Sequence, residues 1–164
     1  MLALPTRIMK ITLLLTGISD DRELAPVIDR YVKRLAHYGP FEVQELKTPK
    51  QFAKLGTEEL KKEEGKLILE ALGPQDTVVL LDERGKHYTS PDLAAQLQKW
   101  MNMGGKRIVF IVGGAFGFSE EVYQRADHRL ALSSLTLTHQ MVRLFFVEQL
   151  YRAFTILRNE KYHH

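Results

Sequence analysis

Five short apolar runs, separated by stretches of helical periodicity, constrain this chain more than anything else in it. The runs are MKITLLLT at 9–16, FEVQEL at 41–46, TVVLLD at 77–82, RIVFIV at 107–112 and RLALSS at 129–134. Near-continuous leucine and β-branched residues suit strands buried on both faces, whereas FEVQEL alternates and reads as half-buried. Between the first two runs, Leu24, Val27, Ile28, Tyr31, Val32 and Leu35 recur at helical spacing. That predicts a helix over 23–38, stopped by Gly39-Pro40. Residues 48–55 read as a loop or short turn. Thr57 is the expected cap of a helix over 58–72, with acids in its first turn and Gly73-Pro74 at its end. Glu83-Arg84-Gly85-Lys86 reads as a loop leaving the third strand. Ser90-Pro91 reads as cap and first residue of a helix reaching about Met103. Ser119 opens a short helix, and a long one covers 139–157. Strand–helix alternation of this kind implies an α/β fold, a mostly parallel sheet with helices on both faces. At 164 residues, one domain over 1–164 is expected, with 1–8 as an N-terminal extension and Met9 as an alternative start.

Composition narrows the chemistry. There are no cysteines, which excludes disulfides, thiolate metal sites and thiol nucleophiles, including the covalent cysteine route to pyrimidine C5 methylation. No apolar run approaches the ~20 residues a membrane span requires, and the first residues lack a signal-peptide core, so a cytoplasmic protein without membrane contact is expected. A formal charge of +3 permits an anionic partner such as RNA without demanding one. The final helix is apolar around most of its circumference, from Met141 through Leu157. A helix covering a sheet needs only one apolar stripe, so the surplus points to a second copy and a homodimer.

Ligands in an open α/β sheet bind at the carboxyl ends of its strands. Three such ends carry suitable residues: LLDERG at 80–85, VGGAFGF at 112–118 and LSSLTLT at 132–138. The glycine stretch is neither a dinucleotide fingerprint nor a phosphate-binding Walker loop, and alone it is equally a tight strand-to-helix turn. His139 is either a titrating group or a polar helix start. Arg143 follows one turn later on the same face. Glu148 and Arg152 are spaced as a helix ion pair. No carboxylate–histidine cluster with ligand spacing accompanies His163 and His164, so no metal is expected.

The segments LLDERGK at 80–86, FIVGGAFGFS at 110–119 and LSSLTLTHQMVRLFFVEQLYRAFTILRNEKYHH at 132–164 resemble the RlmH-type large-subunit ribosomal RNA methyltransferases of the SPOUT superfamily, over essentially the whole chain from Met9. The resemblance implies methyl transfer from S-adenosyl-L-methionine to N3 of a pseudouridine in 23S ribosomal RNA. It also implies assembled ribosomes as substrate, a homodimer, and a deep C-terminal trefoil knot holding the cofactor bent. Carried over by position, Leu81, Gly114, Ser133, Ser134, Leu135, Thr136, Leu137 and Thr138 contact the cofactor, with Gly113 beside them. His139, Arg143, Tyr162, His163 and His164 face the target nucleotide. In that reading His163 or His164 takes the imide proton, Tyr162 stacks on the base, and Arg143 holds a phosphate or the developing imide anion. Two departures from the family pattern stand out. Ala115-Phe116 occupies the place where many relatives carry a loop acid, and Asn159-Glu160-Lys161 stands where relatives often carry Gly or Pro.

Overall fold

The computed structural model describes residues 9–17 and 21–162; the extension 1–8 and the tail residues His163 and His164 lie outside the described residues. The chain runs β1 (Lys10–Thr16), α1 (Ala25–Leu35), β2 (Phe41–Leu46), a 3₁₀ turn (Lys50–Lys54), α2 (Thr57–Glu70), β3 (Asp76–His87), α3 (Ser90–Asn102), β4 (Arg107–Val112), α4 (Glu120–Arg125), β5 (His128–Ala131) and α5 (His139–Leu157). The strands form one sheet in the order β2-β1-β4-β3-β5, and every pairing is parallel. This is the expected α/β class.

Both faces of the sheet are covered, which is why its central strands read as unbroken apolar runs. On one face Leu13, Leu15, Val79, Ile108 and Phe110 meet Leu35 of α1, Leu97 and Trp100 of α3, and Phe146, Leu150 and Phe154 of α5. On the other, Leu14, Val78, Leu80, Val109 and Ile111 meet Ile68 of α2, Val122 of α4 and Phe118. The period of two along each strand thus feeds two separate cores.

Several element ends differ from expectation. Residues 83–86 are not a loop. β3 runs on to His87 through a bulge between Leu81 and Lys86, after which Lys86 pairs with Leu130 and His87 with Ala131. Gly85 permits this, because a Cβ there would lie 2.7 Å from the Arg129 carbonyl carbon and the Leu130 nitrogen. β5 stops at Ala131, leaving 132–134 outside the sheet. Thr57 is not the cap of α2; Gly56 holds that position and Thr57 is the first helical residue. In α3 the cap is Thr89, whose hydroxyl accepts from Asp92 N, so Ser90 and Pro91 are the first two helical residues. The amino end of α1 is organised by Asp21, whose Oδ1 accepts from the amides of Glu23 and Leu24 at 3.0 Å.

The amino-terminal edge of the sheet is tied by a partly buried pair. The Arg107 guanidinium donates to Asp76 Oδ1 and Oδ2 at 3.0 and 2.9 Å, while Gly73 N donates to Oδ2 at 2.7 Å. Burial pushes the Asp76 pKa up, yet these donors and nearby Arg125 hold it below the ordinary carboxylate range.

Candidate cofactor cleft

A cleft of about 570 Å³ opens at the bulge of β3 and the carboxyl ends of β4 and β5, at Leu81, Val112 and Leu130. That volume is in the range of small-molecule sites. One wall is the loop 113–118, closed into a turn by Gly117 N donating to Gly114 O at 3.2 Å, with Gly117 at φ +87°. The opposite wall is the run after β5, where Ser133 Oγ accepts from Leu135 N at 2.9 Å. His139 and Val142 close the cleft from the first turns of α5. Apolar walls, exposed loop backbone, the hydroxyls of Ser133 and Thr136 and the acids Asp82 and Glu83 make it suited to a flat, partly apolar and partly cationic molecule.

The residues assigned from sequence divide clearly. Leu81, Gly113, Gly114, Ser133, Leu135, Thr136 and Leu137 line the cleft, as does His139. Ser134 and Thr138 are not among the lining residues, and the Thr138 hydroxyl caps α5 by accepting from Met141 N at 3.3 Å. Leu135 projects into solvent, 77% exposed, and Phe116 on the facing loop is 56% exposed.

Arg143 is buried, only 4% exposed, and its Nε and Nη1 have no hydrogen-bond partner among the described residues. Burial pulls its pKa down, opposed by the charge of Glu45. A buried guanidinium with two free donors is a costly arrangement that an anion would relieve.

Tyr162 stands elsewhere. Its hydroxyl lies 3.1 Å from those of Tyr31 and from Glu148 Oε1, its ring meets Tyr151 edge-on, and Arg152 lies over its face. Burial, then the bonds to Tyr31 and Glu148, push its pKa up. None of these partners lines the cleft, so Tyr162 is held against α1 and α5. The sequence-level ion pair is present too, with Arg152 Nη2 2.6 Å from Glu148 Oε1.

Two features escaped the sequence reading. At the cleft rim, Tyr123 donates a short bond to Asp82 and accepts from Arg84 Nη2, while Arg84 and Arg129 both lie over its ring. Behind the glycine loop, Glu64 of α2 packs against Gly114 and is 9% exposed. Spacing could have revealed Glu64, since it falls four residues from both Leu60 and Ile68, on the stripe α2 turns inward. Among the described residues no group of three or more His, Asp or Glu is placed to hold a metal ion, and no helix is long and apolar enough to cross a membrane.

A family model described as "Predicted SPOUT methyltransferase" matches residues 9–163, nearly the whole chain. The chain belongs to the SPOUT methyltransferase family. Among its relatives, the "Ribosomal RNA large subunit methyltransferase H" of Christiangramia forsetii is 51% identical over 156 residues, covering 95% of this chain and 99% of the relative. Proteins of the same name from Parabacteroides distasonis and Flavobacterium johnsoniae are 48% and 47% identical with the same coverage. In fold, this SPOUT chain is similar to "a probable methylase family protein" of Haemophilus influenzae, with a TM-score of 0.52 at 15% identity, over 92% of this chain and 67% of that one.

Proposed function

We propose that this protein methylates N3 of a pseudouridine in 23S ribosomal RNA of assembled ribosomes, using S-adenosyl-L-methionine, as a cytoplasmic homodimer with a knotted carboxyl-terminal half. The observation that carries the reading is the cleft itself, built from the glycine loop and the run after β5 in a chain that matches ribosomal RNA methyltransferases along nearly its full length.

S-adenosyl-L-methionine supplies an electrophilic methyl group. The protein's part is to position the acceptor and manage its proton and charge. The backbone of Gly113, Gly114, Ser133, Leu135, Thr136 and Leu137 offers donors and acceptors at close range, and Leu81, Leu130 and Val142 exclude water. In-line transfer depends on such positioning. The imide nitrogen becomes nucleophilic as its proton leaves. His139, in the cleft, and the tail residues His163 and His164 are the candidate acceptors. Arg143, with two donors free, suits the developing imide anion or a nearby phosphate.

Tyr162 is bound to α1 and α5 rather than to the cleft lining. A second copy that brings its own tail to this cleft reconciles that placement with a role for the tail at the target base. Exposed Phe116 and Leu135 of the cleft, with exposed Met141 in the first turn of α5, suit contact with such a copy.

The reading is tested by methyl transfer from labelled S-adenosyl-L-methionine to ribosomes that lack the modification, run beside free ribosomal RNA and separate subunits. Label at one pseudouridine of assembled ribosomes is expected. Label confined to free RNA would overturn the ribosome requirement, and label on another atom or base would overturn the acceptor.

A further inference from the structure

We propose that Glu64 is a positioning residue for the methyl donor, placing its carboxylate charge behind Gly114 where it faces the cofactor's sulfonium and ammonium cations across a wall one residue thick. The inference rests on the donor occupying the strand-end cleft.

The geometry is specific. Gly114 lines the cleft and Glu64 does not, so the glycine stands between them. A Cβ on Gly114 would lie 2.7 Å from Glu64 Oε1 and 2.8 Å from its Cδ, and closer still to Oε2. The carboxylate is thus flat against the backbone of the cofactor loop. The neighbouring residue of α2, Gly65, packs on Ser119, the cap of α4, so the helix and the loop are fixed to each other on both sides of the contact.

The electrostatics distinguish this acid from its neighbours. Asp82, in the cleft, already accepts from Tyr123 and from the Arg84 amide, and it pairs with the Arg84 side chain. Glu64 has no hydrogen bond or ion pair among the described residues. Burial pushes its pKa up, and no cation opposes that. A buried carboxylate left without a partner is disfavoured unless something cationic approaches. The loop has no acid of its own, since Ala115-Phe116 occupies that place. With no side chain on Gly114, a cation in the cleft approaches the charge to within a few bond lengths, close enough to matter in a medium of intermediate dielectric.

The test compares the dissociation constants of S-adenosyl-L-methionine, whose sulfur is cationic, and S-adenosyl-L-homocysteine, whose sulfur is neutral, by calorimetry on the full chain. Glu64→Gln is expected to weaken the cationic ligand relative to the neutral one by roughly tenfold. Glu64→Asp, which keeps the charge but withdraws it, is expected to lose less of that ratio and serves should the glutamine variant fold poorly. A purely structural role would shift both ligands by the same factor, which would overturn the proposal, as would no shift at all. Failure of the unsubstituted protein to bind either ligand would instead remove the cofactor reading of the cleft, and this proposal with it.

Discussion

Gly114 lies directly against the carboxylate end of Glu64, so a side chain at this position reports on that contact. The added Cβ of Gly114→Ala would meet the carboxylate end of the flexible Glu64 side chain and no backbone, so the substitution should push the carboxylate off the loop at little cost in stability. Little change in melting temperature with weaker donor binding is expected. An alanine variant with unchanged donor affinity would refute the role of the contact. At the opposite end of the sheet, Asp76→Asn removes one partner of a partly buried pair and should cost about 3 kcal/mol at neutral pH. Because the folded pKa of Asp76 lies below its unfolded value, its contribution is complete above the unfolded pKa, near 4, and is lost as pH falls through the folded value. Denaturant melts across pH 2–7 should therefore show a shallower acid limb in Asp76→Asn. An identical acid limb would mean that the pair does not set it. At this scale the sequence was partly legible. Leu81, the paired glycines and Ser133 were readable as cleft residues because loops at strand ends must expose backbone. Glu64 was legible only through the stripe it shares with Leu60 and Ile68, because an acid in a helix rich in Glu and Lys otherwise looks solvated. The burial of Arg143 was not readable, since it depends on how α5 lies on the sheet.

Among the elements, boundaries set by local chemistry were easier to read than those set by pairing. β4 and α5 fall where their residues alone place them, because RIVFIV is flanked by glycines and the final helix opens at a threonine–histidine step. The cap of α3 fell one residue early, on Thr89 instead of Ser90, since both hydroxyls are competent and only the chain's direction of entry selects one. The continuation of β3 through Glu83–Lys86 was invisible, as it exists only because β5, some forty residues later, supplies a partner. Thr138 belongs to this scale. Its hydroxyl caps α5, so Thr138→Ala should lower stability by about 1 kcal/mol and loosen the turn that presents His139 to the cleft. Chemical denaturation checks the first effect. Thr138→Ser, which keeps the acceptor, should restore it, and failure to do so would shift the role of Thr138 from the cap to its methyl group.

For the whole molecule, the apolar surplus of α5 is only partly absorbed within one chain. Phe146, Val147, Leu150, Ala153 and Phe154 are buried, while Met141 remains 40% exposed. Light scattering should give a mass about twice the 18.9 kDa of one chain, and Met141→Lys should shift it toward the monomer. A single-chain mass for the unsubstituted protein at all concentrations would refute the dimer. The strand order has a consequence of a different kind, for the time course of synthesis. β1 finds β2 early, but its other neighbour is β4, with Lys10 opposite Arg107 and Leu15 opposite Val112. β4 must therefore enter between strands made long before and long after one another, and the carboxyl-terminal helix then seals the face that α1 and α3 leave open. An emerging chain can hold no more than a fragment of this sheet until two-thirds of it has been translated. Such non-local parallel pairing carries a large loop-closure entropy and slow folding. The β1–β2 pair thus spends most of translation with the apolar edge of β1 still awaiting β4, the stage at which a nascent chain is most exposed to aggregation and to chaperone capture.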